Sequence, residues 1–81
     1  MIWHLFKRRP KPPFRKGDKV EILAPAPNRV GVWLPCGSTG TVLHMYADNR
    51  GVEIDLQRPV ADVVFANVAV VRLAPSNTPH T

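Results

Sequence analysis

Apolar and charged side chains alternate most regularly over residues 51–56, where Val52, Ile54 and Leu56 are separated by Glu53 and Asp55. A period of two sets the three aliphatic residues on one face of a β-strand and the two acids on the other. The same period recurs over Lys19–Leu23, with Val20 and Ile22 on one side and Lys19 and Glu21 on the other, after a turn at Gly17 and Asp18. Thr41–Tyr46 is β-branched, aromatic and apolar and follows Gly37 and Gly40, whose backbone freedom suits a tight turn. ADNRG, residues 47–51, is a hairpin signal between that strand and Gly51–Leu56. In VVFANVAVVRL, Asn67 is the one polar interruption before Arg72, which predicts a strand over Val63–Ala66, a short turn around Asn67 and a strand over Val70–Leu73. Five short strands and no helical period predict an all-β fold, a small five-stranded barrel.

Punctuation divides the chain into three. APAPNRVGVWLPCGS, residues 24–38, holds three prolines and two glycines, too irregular for regular structure, yet Val30, Val32, Trp33 and Leu34 make it apolar. It predicts a long loop folded against the barrel mouth. Pro10, Pro12 and Pro13 favour extended polyproline II geometry and forbid a helix, so residues 1–15 form a basic, Pro-rich N-terminal arm. The barrel spans residues 16–74, and residues 75–81 are a loose tail.

Charge separates the same parts. The chain carries a formal net charge of +5, but residues 1–16 hold Lys7, Arg8, Arg9, Lys11, Arg15 and Lys16 with no acid, while residues 17–81 hold five basic residues against six acids. The arm is therefore +6 and the remainder −1, so an electrostatic partner meets the arm first. At the very start, the apolar MIWHLF precedes the charges, the reverse of a secretory signal, and no stretch approaches membrane-spanning length. Its side chains are expected to fold back onto the barrel or onto another subunit rather than to contact a membrane. A single cysteine, Cys36, cannot form an internal disulfide, which points to a reducing compartment and a cytoplasmic location. A body this short is near the lower limit for a self-sufficient core, and the apolar run VVFANVAVV adds to the expectation of a dimer or higher oligomer.

Catalytic chemistry finds no constellation to work with. His4, His44 and His80 are far apart and lack paired cysteines, so neither a metal site nor a cofactor is expected. Cys36 reads as an inert loop thiol, Glu53 and Asp55 as a solvated strand face, and GSTG lacks the lysine of a phosphate loop.

GDKVEIL, a long loop, GSTGTV, a turn, GVEIDL and FANVAVVRL together resemble the strand order and glycine placement of SH3-like small β-barrels, among them KOW-type modules, the PsaE-type subunit of photosystem I and the barrel of the nitrile hydratase beta subunit. The resemblance covers about residues 16–74 and is specific for fold, since this architecture carries many unrelated activities. The KOW comparison implies RNA binding, which the acids Glu53 and Asp55 oppose, and the PsaE comparison implies docking to a larger assembly through loops. One enzyme shares this scale and topology, a barrel-type dihydrofolate reductase, which is the remote alternative reading. Its VQIY segment corresponds to VVFA here, Val63–Ala66, which lacks the polar groups that orient the pterin and nicotinamide rings.

The leading expectation is a noncatalytic adaptor that binds a protein, or a second copy of itself, through Val30, Trp33, Leu34 and Tyr46, with the arm speeding encounter. Trp33 is expected either to cap the core, the favoured reading, or to present its flat face to a peptide or base. The alternative is nonspecific nucleic-acid binding, with Lys7, Arg8, Arg9, Lys11, Arg15 and Lys16 on phosphates and Trp3 or Trp33 stacked on bases.

Overall fold

The computed structural model describes residues 12–75. Among the described residues seven strands appear in the order β1 (Lys19–Ile22), β2 (Ala26–Pro27), β3 (Trp33–Leu34), β4 (Thr39–Met45), β5 (Gly51–Arg58), β6 (Asp62–Asn67) and β7 (Val71–Leu73), with a 3₁₀ turn, Val68–Val70, before the last. The fold is all-β. Five strands make one antiparallel sheet in the order β6-β5-β4-β1-β7, and β2 pairs with β3 in a separate ribbon.

Alternation places the core as the sequence predicts. Val52, Ile54 and Leu56 of β5 are fully buried, facing Val20 and Ile22 of β1, Val42 of β4 and Val64 of β6 in one apolar cluster closed by Ala26, Leu34 and Val71. Each such side chain contributes roughly 1.5–3 kcal/mol by leaving water. β4 starts two residues earlier than expected and β5 runs on to Arg58.

Four expectations need correction. The sheets do not close into a barrel. Across the open side, the backbone pairing among the described residues is a single isolated bridge, Asn28 to Val64, between the β2–β3 ribbon and the outer edge of β6. Pro25 and Pro27 bring no N–H donors to that seam, so a bridge forms where a full ladder would close the barrel. Second, residues 24–38 are not all loop, because β2 and β3 pair within them, Ala26 with Leu34 and Pro27 with Trp33. Third, Gly37 turns the chain with φ +89°, but Gly40 lies inside β4, buried against β5. Finally, Phe14, within the segment assigned to the arm, is buried in the core, so the packed body begins before residue 16.

Two polar side chains shape the turns. Asn67 accepts a hydrogen bond from Ala69 N through its Oδ1 at 2.8 Å, which caps the 3₁₀ turn and delays β7 to Val71. Between β4 and β5, Asp48 Oδ1 accepts from Arg50 N at 2.8 Å and from Gly51 N at 3.3 Å, while Asn49 takes the left-handed conformation at φ 59°. The bond from the Arg50 backbone, helped by that from Gly51 and by the Arg50 charge, holds the Asp48 carboxyl below its ordinary value of 3.8. A depressed folded-state pKa stabilises the protein above the unfolded value and is lost as pH falls through the folded one. Thermal melts of wild type and Asp48→Ala are therefore expected to differ at pH 6 and to converge below about pH 4. A difference that stays constant down to pH 3 would remove the carboxylate from the turn's energetics.

Candidate functional site

The β2–β3 ribbon ends in a tip, residues 28–32, organised by one side chain. Asn28 Oδ1 accepts from Val30 N at 3.0 Å and from Val32 N at 2.8 Å, and its Nδ2 donates to Asp62 Oδ2 of β6 at 2.9 Å. Backbone bonds from Asn28 N to Val32 O and from Gly31 N to Asn28 O complete the turn, and Gly31 supplies its φ of +86°. Asparagine suits this position because its short amide mimics a backbone turn while its NH₂ stays free to donate elsewhere. The tip is thereby fixed to itself and to the sheet.

What the tip displays is apolar. Val30 is 80% exposed, Val32 56% and Trp33 63%. Arg29 reaches from the tip to Glu53 of β5, with Nη2 3.4 Å from Oε2, a solvent-facing pair that contributes little energy but orients the guanidinium across the outer face of the sheet.

The four residues expected to bind a partner separate into three places. Val30 stands on the tip and Trp33 beside it at the start of β3, where its exposure means that it does not cap the core. Leu34 does, at 6% exposure, and is unavailable to a partner. Neighbouring residues of a strand face opposite sides, so Trp33 and Leu34 cannot share a surface. Val32 is the tip residue that the expected set omits, although its apolar side chain two positions from Val30 is visible in the sequence.

Tyr46 lies at the β4–β5 turn. It makes an edge-to-face contact with His44, ring centroids 5.0 Å apart, and lies over Gly51, where a Cβ would stand 2.9 Å from its Cδ2. With Arg50, Phe65 and Asn67 it borders a shallow open depression separate from the tip. Of the cationic set, Arg15 and Lys16 are exposed in the turn before β1, where Arg15 N donates to Asp18 Oδ2 at 2.9 Å. Lys7, Arg8, Arg9, Lys11 and Trp3 lie outside the described residues.

Cys36 is exposed and its Sγ lies 3.3 Å from the Leu23 carbonyl oxygen, which accepts the thiol proton. Glu53 and Asp55 are half-buried on the outer face of β5, the first engaged by Arg29. Among the described residues no three His, Cys, Asp or Glu side chains converge, and no helix is long and apolar enough to cross a membrane. No family model, curated protein or solved structure matches the chain.

Proposed function

We propose that the protein is a noncatalytic docking module of the SH3-like kind whose recognition element is the tip of the β2–β3 ribbon. The observation that carries this reading is the exposure of Val30, Val32 and Trp33 on a turn that Asn28 holds rigid. Apolar side chains on a preorganised loop gain when a partner covers them, and little ordering entropy opposes the contact. Trp33 is the residue type that most often dominates such contacts. The sheet order supports the fold reading, since β1 lies between β4 and β7 and the middle strands β4, β5 and β6 form a meander.

A second copy of the chain is the partner addressed first. A body this small gains core area by pairing, and apolar burial at the tip has to outweigh the repulsion between two chains of net charge +5. Sedimentation of the full chain over a wide concentration range is expected to show self-association. Trp33→Ala should weaken it by about 30-fold, the effect of losing a hot-spot contact of about 2 kcal/mol. A monomer at every concentration, or association that ignores Trp33→Ala, would refute docking of the tip onto a second copy.

Nucleic-acid binding is the second reading, favoured by the exposure of Arg15 and Lys16 where the cationic segment joins the sheet. Six phosphate contacts predict a slope of about −5 in log affinity against log salt on a duplex. Absence of binding to generic DNA and RNA at low salt would dismiss it.

A further inference from the structure

Away from the tip, and sharing no residue with it, β1, β4 and the end of β5 border a cleft of about 360 Å³ with Lys19, Thr39, Gly40, Gln57 and Arg58 on its walls and Ala74 and Pro75 at its rim. A break in register builds it. Thr39 faces Arg58 and Gly40 faces Leu56, which leaves Gln57 as the extra residue of a bulge at the end of β5.

Lys19, Gln57 and Arg58 bring N–H donors to the cleft, and no carboxylate lines it. Lys19 Nζ donates to Thr41 Oγ1 at 3.0 Å, and Gln57 Nε2 lies 3.4 Å from the same oxygen. One hydroxyl oxygen thus accepts a hydrogen bond from each, which leaves two N–H groups of Lys19 and one of Gln57 open to solvent or a ligand. Among the described residues, Arg29 and Arg72 are paired with Glu53 and Glu21, whereas neither Lys19 nor Arg58 has a carboxylate within 4.0 Å. The acids in register with these positions are Glu21, which accepts two bonds from Arg72 at 2.9 and 2.6 Å, and Asp55, which faces Thr41 on the side of β4 remote from Lys19.

We propose that this cleft binds the oxyanion of a phosphate group, with the guanidinium fork of Arg58 on two oxygens, the Lys19 ammonium on a third and the Gln57 amide completing the cradle. Arginine matches phosphate geometry in two parallel bonds and lysine adds a compact point charge, so two unpaired cations around one concavity select an anion with several oxygens. A free phosphate or phosphomonoester and a nucleic-acid phosphodiester present the same chemistry. Arg15 and Lys16, exposed just before β1, add further positive charge next to the strand that carries Lys19.

Amide chemical shifts of the full chain decide the matter, recorded at constant ionic strength with sodium phosphate or sodium chloride and, separately, with a short oligothymidylate. Phosphate is expected to move the amides of Lys19, Thr39, Gly40 and Arg58 saturably, and chloride is not. Arg58→Gln and Lys19→Gln should each weaken the phosphate effect by about tenfold. If the oligonucleotide moves the same amides, nucleic acid is the source of the phosphate; if it moves only Arg15, Lys16 and the preceding segment, a free phosphate or monoester is. Shifts that fail to saturate, that chloride reproduces, or that survive Arg58→Gln would overturn the proposal. Should a variant fail to fold, the comparison of phosphate with chloride on wild type still decides. Trp33→Ala should leave the phosphate response unchanged, which keeps this result independent of the docking reading.

Discussion

Replacing Gly40 with alanine is expected to lower the thermal midpoint by more than 10 °C. A Cβ at Gly40 would overlap the Asp55 carbonyl oxygen and stand 2.6 Å from Leu56 Cα. Both obstacles belong to the backbone of β5, so no side-chain rotation relieves them and the strand itself must move. The β4–β5 pairing that would be displaced carries the buried Val42, Ile54 and Leu56. Overpacking of this sort costs about 3 kcal/mol or more, and each kilocalorie moves the midpoint of a domain this small by about 4–8 °C. Gly17→Ala serves as the control: Gly17 has φ +93° with open space around it, so only left-handed strain of about 1–2 kcal/mol applies. A Gly40→Ala protein that melts with the Gly17→Ala control would mean that β4 and β5 lie further apart than described.

Phe14→Ala is the second severe change expected, a loss of about 3–5 kcal/mol. Phe14 is 7% exposed and belongs to the same core cluster as Ile22 and Leu56. Small domains have a total stability of only about 5–15 kcal/mol, so this single truncation is expected to leave a substantial unfolded population at room temperature, visible in chemical denaturation. The prediction also governs how the cationic segment is removed for binding studies. A deletion through residue 15 takes Phe14 with it and confuses lost charge with lost packing, whereas one ending at residue 11 does not. Wild-type stability in Phe14→Ala would return that residue to the arm and restore the boundary at residue 16.

Phe14 also illustrates which parts of this fold were legible in the sequence. Strands whose residues alternate, Val20 with Ile22 and Val52 with Ile54 and Leu56, reveal both their existence and their buried face, because period two has one reading on a half-buried sheet. Phe14 has no such rhythm around it; it follows three prolines and precedes two cations, and its burial depends on where the sheet happens to offer a gap. The ribbon of β2 and β3 is hidden for a related reason. Prolines at 25, 27 and 35 signal irregular chain, while the pairing of Ala26 with Leu34 rests on a turn that Asn28 closes through its side chain. Gly40 was recognisable as a special position but not as the right kind, since a glycine before a strand reads equally as a turn or as a close approach of two backbones. The candidate surface was half legible: Val30 and Trp33 are exposed, whereas the burial of Leu34 and the separate setting of Tyr46 depend on strand direction and on the β4–β5 turn.

The Asn28 amide has an evolutionary consequence. Because one side chain ties off the tip and anchors it to Asp62, the side chains at 30, 32 and 33 are released from any duty in folding. Under the docking function proposed above, specificity is rewritten there as a cassette: exchanging those three groups retargets the molecule, provided that the asparagine and the left-handed glycine beside them are kept.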